Sequence, residues 1–192
     1  MKTLLVLVSA LRMVPHLVLF NTHRSREIMR HDVRRWMDIC RLGQGSLQLG
    51  FLHLMTFLPE FRNLFYKRTG WASLPFRWLC PRMDSLFIYT EDIGPGLFIQ
   101  HGVATIISAK SIGKDCWINQ QVTIGYSSTA DCPVLGDGVV VCAGAKVIGN
   151  VRMGDRSVAG ANAVVVKDVP DGCTVVGVPA RIVRRDGARV AE

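Results

Sequence analysis

Apolar residues change their spacing near residue 92, and that change divides the chain into two kinds of structure. From residue 21 to about residue 66 they recur every three or four positions, at Ile28, Val33, Trp36 and Met37, then at Leu47, Phe51, Leu54, Phe57 and Leu58. That spacing aligns side chains on one face of a helix. Ser46 stands where it would cap the second stretch, and Pro59, which lacks an amide proton, where it would end or kink it.

Beyond residue 92 the period becomes six. Aliphatic side chains fall at Ile93, Ile99, Ile106, Ile112, Ile118, Ile124, Leu135, Val141, Val147, Met153, Ala159 and Val165, every step being six except one of seven and one of eleven. Glycine follows at positions 94, 113, 125, 136, 154 and 160, where a sharp corner with positive φ would favour it. Four residues after each aliphatic comes, almost always, a small or apolar one, among them Val103, Cys116, Val122, Val139, Ala145, Val151, Ser157, Ala163 and Val169. Short strands that stack in parallel, with one aliphatic per repeat filling the interior, produce this pattern. The fold expected is therefore mainly β, a parallel β-helix of about four coils preceded by an α-helical N-terminal region. Residues 1–90 are the helical region, for oligomerisation or membrane proximity, 91–183 the β-helix, and 184–192 a basic tail. The eleven-residue step holds an excursion of roughly residues 126–133, and loops thrown out of a rigid column are where sites are completed.

Charge sharpens the division. Residues 1–90 hold 13 Lys+Arg against 5 Asp+Glu, and residues 91–192 hold 10 against 10, so the net charge of +8 belongs to the first half. The basic residues there are interleaved with apolar helical positions and form no nucleic-acid motif, so no nucleic-acid partner is expected. The segment from Phe61 to Pro81 is aromatic and basic, suited either to a membrane-facing patch or, preferentially, to packing beneath the next domain. Residues 4–11 are apolar and superficially like a secretion signal, but Arg12, Pro15 and His16 interrupt them well short of the roughly 18 residues of a membrane span. A helix that packs on its own protein or lies on a membrane surface is expected instead. Six cysteines without a C-x-x-C pair suggest neither a zinc site nor a disulfide framework, so no metal is expected and the compartment is read as cytoplasmic, with peripheral contact to the inner membrane face an option.

Six stretches carry a resemblance. They are Ile93-Gly-Pro-Gly-Leu-Phe-Ile-Gln-His101, Val122-Thr-Ile-Gly125, Gly136-Asp-Gly138, Ala143-Gly-Ala-Lys-Val-Ile-Gly-Asn150, Gly160-Ala-Asn-Ala-Val-Val165 and Val176-Gly-Val-Pro-Ala-Arg-Ile-Val183. In this order the chain resembles the hexapeptide-repeat acyltransferases, and among them the serine acetyltransferase-like group. The resemblance implies a left-handed coil, a homotrimer, and acetyl-CoA as acyl donor in the groove between neighbouring columns. It implies that His101 is the general base, since a hydroxyl is a poor nucleophile until its proton is removed and imidazole titrates nearest neutrality. It also implies that Gly144, Ala145, Gly160 and Ala161 let the backbone approach the pantetheine arm, while Lys146 and Arg181, with Arg184 and Arg185, are candidates for the nucleotide phosphates.

Departures from the group bear on the acceptor. Where serine acetyltransferases orient the histidine with an aspartate this chain has Phe87, so Glu91 or Asp92 is the candidate replacement. The aspartate that precedes their histidine is here Gln100, and a histidine of their loop is here Cys132. Gln100, Asn119 and Gln120, with Tyr126 at the start of the excursion, form a polar, uncharged set of substrate-binding candidates that suits sugar hydroxyls. The reading preferred is O-acetylation of a saccharide hydroxyl in surface-polysaccharide synthesis, with serine O-acetylation for cysteine biosynthesis as the alternative and a non-catalytic β-helix scaffold as a third.

Overall fold

A computed structural model describes residues 9–43, 45–128 and 131–190, and the chain divides into two compact units, Met1–Asp84 and Ser85–Glu192. The start of the apolar run at residues 4–11 and the middle of the excursion, Thr129 and Ala130, lie outside the described residues.

In the first unit a short 3-10 turn, Leu11–Met13, leads into α1 (Val14–Thr22), then α2 (Arg26–Ile39), α3 (Leu47–Phe57), α4 (Pro59–Thr69) and a 3-10 segment, Gly70–Leu79. The three- and four-residue spacing of the sequence is realised in α2, where Val33, Trp36 and Met37 are buried. It recurs in α3, whose Phe51 and Leu54 are fully buried. Aromatic rings form the centre of this unit: Phe20 stacks on Phe51 at 4.5 Å, and Trp36 meets Phe61 edge-on at 5.2 Å. Pro59 does end one helix and begin another, because Leu58 is extended and proline needs no amide partner in a first turn. Ser46 is the residue before α3 but does not cap it, its hydroxyl being donated to Gln48 Oε1 instead. Among the described residues no helix is long and apolar enough to cross a membrane.

The second unit is a three-sided parallel column. Sheet A stacks β1 (Leu86–Ile88), β4 (Thr105–Ile107), β7 (Thr123–Gly125), β10 (Lys146–Ile148) and β13 (Val164–Val165). Sheet B stacks β2 (Asp92–Ile93), β5 (Ser111–Ile112), β8 (Val134–Leu135) and β11 (Arg152–Met153), and Met153 bridges on to Val169. Sheet C stacks β3 (Phe98–Ile99), β6 (Trp117–Ile118), β9 (Val140–Val141), β12 (Val158–Ala159) and β14 (Cys173–Val176). The twelve hexads account for four coils, and β1 before them and β14 after them extend the column to about five. At its end the chain reverses, so that β15 (Arg181–Arg185) pairs antiparallel with β14, and β16 (Ala188–Arg189) with β15. The basic residues at 181–189 thus lie largely on this hairpin.

Interior positions follow the hexads with one shift. Ile106 is 40% exposed and Ile107 is fully buried, paired with Ile124 of the next coil. Val103 is likewise outside, and Thr105 takes its place in the interior. None of the glycines that follow the aliphatics has positive φ, and all but Gly125 are explained by close coil approach: a Cβ on Gly113 would stand 2.5 Å from the backbone of Gly136. At the B–C corner a ladder of aspartates ties coil to coil. Asp137 Oδ1 accepts the Lys114 amide, Asp155 Oδ1 the Asp137 amide and Asp171 Oδ1 the Asp155 amide, each at 2.9 Å.

Candidate active site

The C–A corner, where each coil turns from sheet C to sheet A, collects most of the residues singled out in the sequence. Backbone bonds stack these corners directly: Gln121 N–H donates to Val103 O at 2.8 Å, Gly144 N–H to Gln120 O at 3.0 Å and Asn162 N–H to Ala143 O at 2.9 Å. The last residue of each corner has positive φ, namely Ala104, Gln121, Gly144 and Asn162. This alignment puts Gln100 and His101 in one column with Asn119 and Gln120, Cys142, Gly144, Gly160 and Ala161.

The uppermost corner differs from those below. Between Ile118 and Val122 the chain turns with three residues, whereas between Ile99 and the equivalent Thr105 it uses five. The extra length is a bulge, in which His101 (φ 65°) and Gly102 (φ 56°) both occupy the left-handed region. Two successive residues there are costly unless the fold demands them, and histidine is among the side chains that tolerate it. The bulge leaves the His101 side chain exposed at the outside of the corner while Gly102 is buried beneath it.

Beside the histidine, Gln100 is held by a residue the sequence reading did not single out. Trp117 Nε1 donates to Gln100 Oε1 at 3.2 Å, and its ring packs edge-on to Phe98 at 4.7 Å. Indole can only donate, so the amide oxygen of Gln100 faces the tryptophan and its NH2 faces away, as a donor. The signal was present in the register, since Phe98 and Trp117 are aligned in neighbouring coils, but sequence distance hid it. Asn119 Oδ1 and Gln120 Oε1, one coil on, are buried with no acceptor function used. Burial raises the Cys142 thiol above its usual pKa, so it stands in the column as a neutral group.

The cofactor candidates separate by position. Gly144 (φ 73°) shares its left-handed corner position with Ala104, Gln121 and Asn162 of the other coils, and an added Cβ would lie 2.0 Å from the side-chain Oδ1 of Asn162. Gly160 has Val176 Cγ1 2.7 Å from the place of a Cβ, and Ala161 is exposed at the corner. Ala145 is fully buried, with its amide given to Cys142 O and its carbonyl accepting from Thr123, so its side chain belongs to the column's interior. Lys146 Nζ donates to the Gln121 carbonyl at 2.5 Å, which fixes its ammonium beside the same corner. Arg181 opens β15, exposed, in a cleft that it shares with Val176, Ile182, Arg184 and Arg189.

Glu91, Asp92 and Tyr126 are elsewhere. Glu91 and Tyr126 lie at the A–B corner and Asp92 opens β2 just beyond it, all separated from His101 within one chain by the width of sheet A. Phe87, which stands where the group has its orienting aspartate, is on that sheet's outer face, stacked with Tyr89 at 6.2 Å and aligned with Ile106. The excursion begins at the same A–B corner with Tyr126 60% exposed. It is braced by Asp131, which accepts the Ser127 hydroxyl at 2.5 Å and the amides of Ser127 and Ser128 at 3.0 and 2.7 Å. These bonds, the Ser127 hydroxyl foremost, lower the pKa of its carboxyl. Among the described residues no group of His, Cys, Asp and Glu could hold a metal ion.

No protein-family model matches the chain. A serine acetyltransferase from Synechococcus elongatus is 46% identical over 102 residues, which is 51% of this chain and 42% of the relative. One from Staphylococcus aureus is 42% identical over 104 residues, 52% of this chain and 49% of the relative. The chain therefore spans about half the length of these curated relatives or less. The crystal structure of serine acetyltransferase from Brucella abortus superposes with a TM-score of 0.68 at 28% identity, covering 88% of this chain and 73% of that one. In sequence and in fold the chain is similar to the hexapeptide-repeat acyltransferases, and among them to the serine acetyltransferase-like group.

Proposed function

We propose that the chain is an acetyl-CoA-dependent O-acetyltransferase with His101 as general base and L-serine as its acceptor. The observation that carries the reaction type is the two-residue bulge, which holds an imidazole out at the head of a corner column whose lower coils offer small residues. The acceptor is favoured by the relatives, which are named serine acetyltransferases. It also agrees with the orientation of Gln100, because an outward NH2 suits the carboxylate of an amino acid.

In the reaction His101 takes the proton of the acceptor hydroxyl while its oxygen attacks the thioester carbonyl. The new C–O bond forms, the C–S bond breaks as the tetrahedral intermediate collapses, and the departing thiolate receives the proton from the imidazolium. Gly144, Gly160 and Ala161 would line the pantetheine arm, and Lys146 and Arg181 are the candidates for the nucleotide phosphates. A homotrimer, which the resemblance implies, would set the C–A corner of one copy against a face of the next. That is the arrangement in which Glu91, Asp92 or Tyr126 of a neighbouring chain could serve a site their own chain does not reach. A reaction that draws on acetyl-CoA, in a chain none of whose six cysteines is in a disulfide, suits a cytoplasmic setting.

A second reading, acetylation of a saccharide hydroxyl, is supported by the neutral amides of Gln100, Asn119 and Gln120 around the histidine, with no carboxylate in the same corner to meet an ammonium group. Thiol release from acetyl-CoA, measured with L-serine and with a panel of sugars and nucleotide sugars, separates the two. Serine-dependent release upholds the first reading, release with a saccharide alone replaces it with the second, and no release with any acceptor returns the chain to the scaffold role.

A further inference from the structure

The helical unit carries an apolar surface that the acetyl-transfer site does not use. In the 3-10 segment Gly70–Leu79 the residues that face the unit's interior are Ser73, Phe76 and Leu79, at the three-residue spacing of such a helix. The remaining faces present Trp71 (86% exposed), Leu74 (46%) and Trp78 (74%). The platform is braced from below. Arg77 donates through Nε to the Ser73 hydroxyl and through one NH2 to the carbonyls of Gly70 and Tyr66, and its guanidinium lies over the Tyr66 ring at 5.3 Å. The indole N–H of Trp78 is already satisfied by Pro75 O at 3.1 Å, so its ring can enter an apolar medium without an unpaired donor. Packed beside this segment through His16 and Phe76, whose rings meet at 5.1 Å, α1 and its leading turn expose a second apolar row, Leu11, Val14 and Val18.

Two exposed tryptophans, a leucine and a neighbouring aliphatic row call for a partner, and charge decides which kind. The first 90 residues are strongly basic, and most carboxylates of the unit are committed internally: Asp32 to Arg68 at 3.0 Å, Glu27 to Arg30 at 3.0 Å, with Glu60 buried. Exposed Arg12 and Arg82 flank the aromatic segment. So basic a surface attracts an anionic lipid surface, and tryptophan is the side chain best suited to the boundary between headgroups and acyl chains. We propose that Trp71, Leu74 and Trp78, flanked by Arg12 and Arg82, dock this protein on the surface of an anionic phospholipid bilayer. The inference is independent of which acceptor the β-helix acetylates.

The test is co-sedimentation of the full chain with phosphatidylcholine vesicles that contain or lack phosphatidylglycerol, at low and high salt. Binding to the anionic vesicles alone, weakened by salt, is expected. R12S and R82S should each lower the partition coefficient about five-fold, and the W71S/W78S double variant should abolish binding while far-UV circular dichroism and thiol release stay unchanged. Failure of the wild type to bind, equal binding to neutral and anionic vesicles, or a fall in particle mass of the double variant by light scattering, which would mark a contact between copies, overturns the proposal.

Discussion

Gln100 illustrates how one hydrogen bond decides what a side chain can recognise. With its oxygen held by Trp117 the amide is a fixed donor, and W117F, which keeps the packing on Phe98 but removes the N–H, frees it to rotate. The expected result in steady-state kinetics is a rise of about five- to tenfold in the acceptor KM, the worth of one hydrogen bond, with kcat nearly unchanged. H101A, by contrast, should lower kcat by about 10²- to 10⁴-fold with circular dichroism unaffected, because the residue is exposed and supports no packing. His16 is the opposite case, a histidine buried for stability. Its Nε2 bonds the Tyr66 hydroxyl at 2.9 Å, the hydroxyl donates to Cys80 O at 2.7 Å, and burial together with Arg62 and Arg12 lowers its pKa to about 4. The unfolded chain therefore binds a proton below pH about 6.5 that the folded chain refuses until about 4. Stability should be complete above the upper value and fall through this window by up to about 3 kcal/mol, as urea denaturation at a series of pH values would register. H16Q, which keeps a donor but does not titrate, should flatten that slope.

At the level of elements, the corner turns govern both fold and site. G144A puts a side chain at a positive φ and displaces the Asn162 amide, and a loss of about 1 kcal/mol in thermal or chemical unfolding is expected. D155A removes one rung of the aspartate ladder and leaves the Asp137 amide without its acceptor, for about 1–2 kcal/mol. These turns also mark the limit of what the sequence discloses. Hexad spacing reveals the strands and nearly every interior residue, because a column of constant cross-section admits an aliphatic only at fixed intervals. It misplaces the interior by one at Ile106 because Ile107 is equally aliphatic, and composition cannot tell which isoleucine points inward when a bulge of two residues precedes them. The bulge itself is visible only once Trp117 and Ile118 are paired with Phe98 and Ile99. Of the candidate site, His101 and the small corner residues come from the resemblance, and the structure brings His101, Gly144, Gly160 and Ala161 to one corner. The separation of Glu91, Asp92 and Tyr126 from them is not legible in the sequence, since it depends on which corner each hexad boundary occupies.

Across the whole molecule, net charge and the proposed chemistry are divided between the two units. The basic surplus sits with the helices, whereas the column that carries His101 is balanced. Acetyl transfer and any attachment of the helical unit should accordingly be separable by mutation, and a salt series should affect the second far more than the first. The column has an end, and there the β15–β16 hairpin turns antiparallel across the strand that would otherwise be the open margin of sheet C. Its arginines at 181, 184, 185 and 189 make that margin cationic. Without the hairpin, β14 would offer unpaired amides and carbonyls on a coil shaped to accept another coil. Stacked end on end, such columns would grow without a stopping point, so the hairpin acts as a chain terminator that keeps a repetitive fold from becoming a fibre.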